Sequence, residues 1–192
     1  MNAIALPDES VVLDDTRRWL ERAVIGLNLC PFAKAVHTKG QIHYAVSQAR
    51  TPAELLADLR HALQDLVALD AQVRETSLLM APFCLQEFLL FNDFLAQADQ
   101  VLVDLRLDGV IQIAPFHPRF EFADAPSGDI THFTNRSPYP TLHLLRESSV
   151  ARAVESFPEA DMIYEKNLAA MKALGHAGWA QLKVGASWKN GG

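Results

Sequence analysis

The stretch TPAELLADLRHALQDLVALDAQVRETSLLMA, residues 51–81, indicates how this chain folds. Thr51-Pro52-Ala53-Glu54 has the pattern of a capping box with proline at the first helical position. Apolar side chains then recur at helical spacing, which predicts one buried stripe made of Leu55, Leu59, Ala62, Leu63, Leu66, Val67 and Val73. Thr76–Ala81 follows as a nearly continuous apolar run, typical of a strand that is buried on both faces. The stretch therefore predicts a helix followed by a central strand.

The same alternation continues on both sides of this stretch. A helix capped by Asp14 is expected to run to about Leu27 and to end before Pro31, and a short strand is expected at 42–46. A long helix follows at about 86–105, and Asp108-Gly109 turns the chain into a strand at 110–114. We predict an α/β fold in a single domain: a small central sheet of three or more strands, largely parallel, flanked by long helices. A ferredoxin-like α+β arrangement is the alternative.

The second half of the chain is expected to be helical beyond a long polar loop. Pro138 or Pro140 is a suitable start for a helix that reaches about Glu155. A last helix is expected to begin at 156–159 and to end with Gly175 as its C-cap. The segments 1–10 and 180–192 are expected to be loose or peripheral.

Two of the predicted strands end in nearly the same way. Ala81-Pro82-Phe83-Cys84 closes one strand, and Ala114-Pro115-Phe116-His117 closes another. If both strands run in the same direction, Cys84 and His117 emerge at the same edge of the sheet. Open α/β sheets place their ligands at the carboxyl ends of the strands.

Composition and charge exclude several classes of protein. A net charge of −6 and 49% hydrophobic residues are ordinary for a globular protein and argue against a general nucleic-acid binder. Two cysteines are too few for a disulfide framework and fit a reducing cytoplasm. The first ten residues lack the features of a signal peptide, and no apolar run is long enough to cross a membrane.

The loop between Ile113 and Glu147 concentrates polar side chains among proline, glycine and aromatic residues, which is typical of a functional loop on a rigid scaffold. An imidazole titrates near neutral pH, which makes His117 a candidate general acid or base. If the following segment is a helix, His143 and Arg146 lie three residues apart on one face, and His143 is a second candidate. The alternative for both histidines is a purely structural hydrogen bond.

Arginine and amide side chains in this loop suggest an anion pocket. Guanidinium groups suit carboxylates and phosphates, and a helix start after Arg136 would add free backbone N–H groups. Candidate substrate-binding residues are Arg119, Asn135, Arg136, Ser137, Tyr139 and Arg146. The alternative is that the arginines pair with Asp124, Asp129 or Glu147 and hold the loop in place.

The turn at Cys30-Pro31-Phe32-Ala33-Lys34 supplies a candidate nucleophile or pocket wall in Cys30 and Lys34. A buried, unreactive Cys30 is an equally common arrangement. A metal site could use His117, Asp129, His132 and His143, but no ligand pair has the compact spacing of HExxH, so we assign no metal ligand. The sequence identifies no cofactor.

Three motifs carry a family resemblance: LNLCPFAK at 27–34, FHPRFEFA at 116–123 and TNRSPYPTLHLLRE at 134–147. They resemble a bacterial and plastid family catalogued as a domain of unknown function, number fourteen-fifteen, over roughly Asp14 to Leu174. The resemblance implies a stand-alone cytosolic domain and no established activity. It also leads us to expect Asn at position 132, where this chain has His, which argues against a role that requires His132.

Together these features suggest a small cytoplasmic enzyme that acts on an anionic metabolite or phosphate ester by hydrolysis or group transfer. In this hypothesis His117 and His143 transfer protons and the arginines bind the anion. One alternative is a non-catalytic module that binds an anion or a protein partner through the arginines. A thiol- or metal-dependent redox protein is another. Neither a nucleic acid nor a membrane is an expected partner, and the sequence does not determine the oligomeric state.

Overall fold

Four strands form the central sheet of this computed structural model, which describes residues 8–156 and 162–187. In chain order they are β1 (Ile42–Val46), β2 (Thr76–Met80), β3 (Ile111–Phe116) and β4 (Thr141–Arg146). Their order across the sheet is β1-β2-β4-β3. The three strands predicted from the sequence are therefore confirmed, and a fourth lies between two of them.

The direction of the strands makes the sheet mixed. β1 and β2 pair in parallel, whereas β4 pairs antiparallel with both β2 and β3. Strands β1, β2 and β3 consequently point the same way, as expected from their connecting helices, but β4 separates β3 from β2. The α/β prediction is confirmed, and the sheet is less parallel than expected.

The strand β4 replaces the helix that was expected to begin at Pro138 or Pro140, so that prediction is wrong. Leu142 and Leu144 are buried on one face of the sheet, while His143 points to the other. Hydrogen bonds from two neighbouring strands outweigh the helix-compatible spacing of this segment, because a central strand satisfies its backbone on both sides. The helix begins only at Glu147, as α5 (Glu147–Ser156).

Two long helices cover the first face of the sheet and build the main core. They are α3 (Pro52–Ala68) and α4 (Phe88–Asp104), close to their predicted positions. The capping box forms as expected: Thr51 Oγ1 accepts from the Glu54 amide at 3.3 Å, and Glu54 accepts from the Thr51 amide at 3.1 Å. Val67 is exposed, and Val73 is exposed and lies beyond the helix, so the predicted buried stripe ends at Leu66.

The second face of the sheet is covered by shorter and less regular elements. The first is α1 (Glu9–Trp19), capped by Asp8 rather than Asp14, which runs directly into a π-helix at Leu20–Ile25. The others are α2 (Ala33–Thr38), α5 and α6 (Ile163–Leu182). Gly175 has the positive φ of 64° expected for a C-cap, but the chain resumes helical geometry after it. The expected start of the last helix falls mostly on residues 157–161, outside the described residues.

The described parts of the two terminal segments pack against the rest of the protein, and residues 1–7 and 188–192 of these segments lie outside the described residues. Glu9 and Ser10 belong to α1, and Val184 is buried against Trp19, Leu20 and Ala23. Asp15 joins both ends, because it accepts hydrogen bonds from the Ser187 amide at 2.7 Å and from the Tyr139 hydroxyl at 2.7 Å. These hydrogen bonds and that of Arg18 hold the pKa of Asp15 below its ordinary value, although burial alone would raise it.

Neighbouring leucines in β4 provide a test of the strand. Leu144→Ala should reduce the free energy of unfolding by about 2–5 kcal/mol, because Leu144 is fully buried in the main core. Leu145→Ala should have a smaller effect, because Leu145 faces a cavity on the other side and is only partly buried. Urea denaturation of both variants measures the difference. Equal losses would contradict the assignment of the two side chains to opposite faces.

Candidate functional site

The predicted site residues divide between the two faces and the two ends of the sheet. His117, Arg119, Asn135 and Arg136 lie around the carboxyl ends of the parallel strands, near α4. His143 lies on the opposite face, and Arg146 lies five residues farther along β4 than Thr141, about 17 Å in an extended chain. His117 and Arg136 therefore lie apart from His143 and Arg146, contrary to the prediction that these four residues line one pocket.

His117 is a fully buried residue with both ring nitrogens occupied. Nδ1 accepts a hydrogen bond from the Arg119 amide at 3.0 Å, so Nε2 carries the proton and donates to the Leu85 carbonyl at 3.0 Å. The ring packs against Phe88 and Phe91. The bond to Leu85, next to Cys84, confirms that the two similar strand ends meet at one edge. Burial lowers the pKa of His117 to about 4, so the ring is neutral in this position.

His132 makes the same kind of bridge farther along the loop. Its Nδ1 accepts from the Phe122 amide at 3.0 Å, and its Nε2 lies 2.8 Å from the Pro126 carbonyl. Both rings therefore join main-chain groups that belong to no regular strand. Within residues 8–156 and 162–187, no group of three or more His, Cys, Asp or Glu side chains is placed to hold a metal ion.

The arginines of the loop differ in how fully they are engaged. Arg119 donates to the Gln86 carbonyl and pairs with Glu87 at 2.7 Å on an exposed surface. Arg136 donates from Nε to the Phe120 carbonyl at 3.2 Å, and its guanidinium lies 4.1 Å from the centre of the Phe133 ring. Its terminal nitrogens have no hydrogen-bond partner among the residues described. Asn135 lies beside it and donates to Pro115 at 3.4 Å.

Arg146 holds the end of α3. One terminal nitrogen donates to the carbonyls of Leu66, Leu69 and Arg74 at 2.7, 2.8 and 3.1 Å. Helices leave their last carbonyls without internal partners, and a cation is favourable there. The other two candidates from this segment are also internal: Ser137 donates to Tyr139 O at 2.6 Å, and the Tyr139 hydroxyl donates to Asp15.

A cavity of about 330 Å³ lies on the second face of the sheet, and we refer to it as the sheet cavity. Its floor is formed by strand residues, and its walls come from the first two helical segments, the turn at Cys30, α2 and α5. The lining is largely apolar and consists of Trp19, Leu20, Val24, Cys30, Phe32, Ala33, Val36, Ile42, Glu75, Thr76, Leu78, Gln112, Ala114, Phe116, His143, Leu145, Arg146, Ser149, Val150 and Ala153. This size and lining are typical of small-molecule sites.

His143 is the titratable ring in the floor of this cavity. The Thr76 hydroxyl donates its only proton to the Leu144 carbonyl at 2.6 Å, so it must accept from His143 Nε2 at 2.7 Å. This arrangement fixes the tautomer and leaves Nδ1 as a bare acceptor, with no hydrogen-bond partner among the described residues. Burial lowers the pKa of His143 to about 4, so the ring offers a neutral acceptor at ordinary pH.

The turn at residues 30–34 forms part of the cavity wall, as expected. Cys30 lines it together with Phe32 and Ala33, and the Ala33 amide donates to the Cys30 carbonyl at 3.2 Å, while Lys34 is exposed and outside the lining. Burial raises the pKa of the Cys30 thiol. The thiol is therefore protonated near neutral pH, which makes it a weak nucleophile. The structure thus brings Cys30, His143 and Arg146 to one cavity.

Comparison with known proteins identifies the family. The family described as Protein of unknown function (DUF1415) matches residues 11–181. The chain belongs to this family. The match spans all three motifs found in the sequence. No curated protein and no solved structure matches the chain.

In this family member, one wall of the cavity is not predictable from the polar motifs. Trp19, Leu20 and Val24 line it from the junction of α1 and the π-helix. A short π-helix widens the backbone and frequently occurs at functional sites. The available signal was the apolar spacing of the first helix, which predicted only that these side chains are buried. Among the described residues, none of the helices combines the length and apolar character needed to cross a membrane.

The neutral buried histidines predict a specific loss of stability in acid. The pKa of His117 rises from about 4 in the folded chain to its ordinary 6.5 on unfolding, so the unfolded state binds protons first as the pH falls. Stability should be complete above pH 6.5 and should decline by about 3 kcal/mol on account of His117 by pH 4. Protonation of Asp15 reduces stability only below its ordinary pKa of 3.8, which is outside this pH range.

His117→Gln isolates this contribution. The free energy of unfolding should depend less steeply on pH between 6.5 and 4 than in the wild type, when measured by urea denaturation at several pH values. His61→Gln, on the exposed side of α3, is the matched control and should keep the wild-type slope. An unchanged slope in His117→Gln would show that the ring is not held neutral.

Proposed function

We propose that this protein binds a small, largely apolar molecule in the sheet cavity and orients it through a hydrogen bond to His143. The observation that supports this proposal most strongly is the bare Nδ1 of a histidine whose other nitrogen is fixed by Thr76. A neutral acceptor in an apolar wall selects a ligand that carries an O–H or N–H donor. Polar groups that are few but well placed give such pockets their specificity.

The ionisation of His143 favours binding over proton transfer. A general base works best when its pKa lies near the operating pH, and burial lowers the pKa of His143 to about 4. The ring is therefore always available as an acceptor and has little driving force to take up a proton. Hydrolysis or group transfer stays a prediction from the sequence, and a non-catalytic binding module agrees better with this pKa.

We also propose that the protein works in the cytoplasm, and the free state of its two cysteines supports this location. Cys30 and Cys84 are both free thiols, and Cys84 is buried next to the main core. A reducing compartment keeps such thiols free. Redox chemistry would have to use Cys30, since it is the thiol that lines the cavity, but its raised pKa does not favour attack.

Two molecules of the same shape test the role of His143. Indole carries one N–H donor, whereas benzofuran has an oxygen at that position and cannot donate. The wild-type protein should bind indole more tightly by about 1 kcal/mol, the typical net contribution of one hydrogen bond. In His143→Phe, which keeps an aromatic ring but no acceptor, this preference should disappear. Titration calorimetry or ligand-detected NMR provides both affinities.

The control for this experiment is His61→Phe on the exposed side of α3, which should bind both compounds as the wild type does. Indole affinity should also stay constant from pH 8 to pH 5.5, because His143 remains neutral throughout. Equal affinity of the wild-type protein for indole and benzofuran would contradict the role given to His143. Failure of both compounds to bind would contradict the choice of the sheet cavity.

The geometry of Arg136 favours a second candidate function, the binding of a small anion near the strand ends. Its guanidinium is stacked on Phe133, is partly desolvated and retains terminal N–H groups without partners in the described part of the chain. Partial burial makes a charge-assisted hydrogen bond stronger than it is in water. This candidate preserves the anionic ligand expected from the sequence, with Arg136 rather than a histidine as its main contact.

Phosphate and sulfate test this second candidate. Arg136→Ala should weaken phosphate binding by about 2–5 kcal/mol, by analogy with a desolvated charge pair that loses one partner. Lys39→Ala removes a cation from an exposed position and should have little effect. Titration calorimetry of both variants at constant ionic strength measures the difference. Equal affinities in Arg136→Ala and the wild type would assign this arginine a purely structural role.

A further inference from the structure

A second cavity of about 240 Å³ adjoins the sheet cavity, and we refer to it as the side cavity. Three residues, Val24, Cys30 and Phe116, line both cavities. They belong to the π-helix, the turn that follows it and the end of β3. These three shared side chains place the two cavities next to each other, and we refer to the common boundary that they form as the neck.

The two cavities differ in chemical character. Beside its apolar residues, the side cavity is lined by the polar but uncharged side chains of Thr134, Asn135, Tyr164 and Asn167. Asn167 donates from Nδ2 to the Leu29 carbonyl at 2.8 Å, which fixes its amide and leaves Oδ1 as an acceptor without a partner among the described residues. None of the residues that line this cavity in the described part of the chain is Asp, Glu, Lys, Arg or His.

Neutral hydrogen-bonding groups match neutral polar ligands better than ions. An ion placed in this cavity without an opposite charge would lose part of its hydration without compensation. An amide N–H or hydroxyl group, in contrast, would exchange a hydrogen bond with water for one with Asn167 Oδ1. The sheet cavity would receive an apolar body and the side cavity an uncharged polar head.

We infer that the two cavities form one bipartite site for an elongated amphipathic molecule with an uncharged amide or hydroxyl head, such as an N-alkyl amide. The largely apolar body lies over the sheet and presents an O–H or N–H donor to His143 Nδ1, the head contacts Asn167, and the molecule passes Cys30 at the neck. Simple alkylacetamides lack that donor and therefore report on the two cavities alone. This inference rests on the proposed function, because it assigns a substrate class to the same sheet cavity. It adds the side cavity, which the proposed function does not require.

Cys30 makes the neck accessible to a chemical measurement. Iodoacetamide converts the thiol into a thioether: the S–C bond forms, iodide leaves, and the proton passes to the buffer. Cys84→Ser leaves Cys30 as the sole thiol, since the chain has two cysteines. A molecule that spans both cavities must pass this sulfur and shield it. Intact-mass spectrometry at pH 9, where more of the thiol is ionised, measures the rate.

The experiment compares N-alkylacetamides with alkyl chains from butyl to dodecyl in the Cys84→Ser background. Affinity by titration calorimetry should rise with chain length, and the longer compounds should slow alkylation of Cys30 at least tenfold at saturation. Butylbenzene, which has no polar head, should bind the sheet cavity and shows how much protection of Cys30 comes from that cavity alone, so the alkylacetamides should slow alkylation beyond the butylbenzene value.

Two variants separate this inference from the proposed function. Ala114→Leu fills the floor of the sheet cavity and should weaken both the alkylacetamides and butylbenzene at least tenfold. Asn167→Leu removes the amide from the side cavity and should weaken the alkylacetamides about fivefold or more while leaving butylbenzene unchanged. Thr134→Val repeats the second test at another polar position and serves if Asn167→Leu fails to fold by circular dichroism.

Each outcome supports or overturns a defined statement. If Ala114→Leu weakens both ligands but neither polar variant affects the alkylacetamides, the bipartite site is wrong and the proposed function stands. Lack of Cys30 protection by a tightly bound dodecyl compound would overturn the bipartite site as well. If Ala114→Leu affects neither ligand, both the bipartite site and the use of the sheet cavity are wrong.

Discussion

The position of β4 between β2 and β3 is the constraint on which the rest of this structure depends. Without it, β2 and β3 would be too far apart to pair, and the backbone groups that each directs toward β4 would lack partners in the interior. β4 satisfies both neighbours because it runs antiparallel to each. The chain must therefore double back after β3, and the segment 117–140 crosses the ends of the parallel strands. Because β4 lies between two strands, His143 is near the centre of the sheet and faces the sheet cavity.

His117, His132 and His143 differ in what their second ring nitrogen binds. His117 and His132 each use both ring nitrogens on main-chain groups: His117 links Arg119 to Leu85 of the neighbouring strand end, and His132 links Phe122 to Pro126 within the loop. His143 uses one nitrogen on Thr76 and keeps the other for the cavity. Burial and depressed pKa values are common to His117 and His143 and do not separate their roles. Their hydrogen bonds do separate the roles, because a ring with both nitrogens bonded inside the protein cannot also bond a ligand.

The predictable parts of the fold are those set by local sequence. The capping box at Thr51, the stripe of α3 and the apolar run of β2 depend on neighbours within a few residues, and each appears where expected. Thr141–Arg146 was assigned wrongly because six residues with a preceding proline are compatible with a helix, and pairing partners far away in the chain decide the outcome. The cavity was not predictable for a similar reason. Its walls come from segments more than one hundred residues apart, and apolar spacing shows that a side chain is buried without showing that space is left beside it.

The alternation of side chains in β4 has a consequence for how chain length can vary within the family. Removing one residue from the loop around Asp124–Ser127 would disturb the local bridge made by His132 but would leave the register of the sheet unchanged. Removing one residue inside β4 would shift its register by one and exchange the two faces, so that a leucine would replace His143 over the cavity and the imidazole would enter the main core. Insertions and deletions among relatives should therefore accumulate before Ile130 and be absent from 141–146. The position of His143 opposite Thr76 in space is thus fixed by the sheet, even if the number of residues between them differs among relatives.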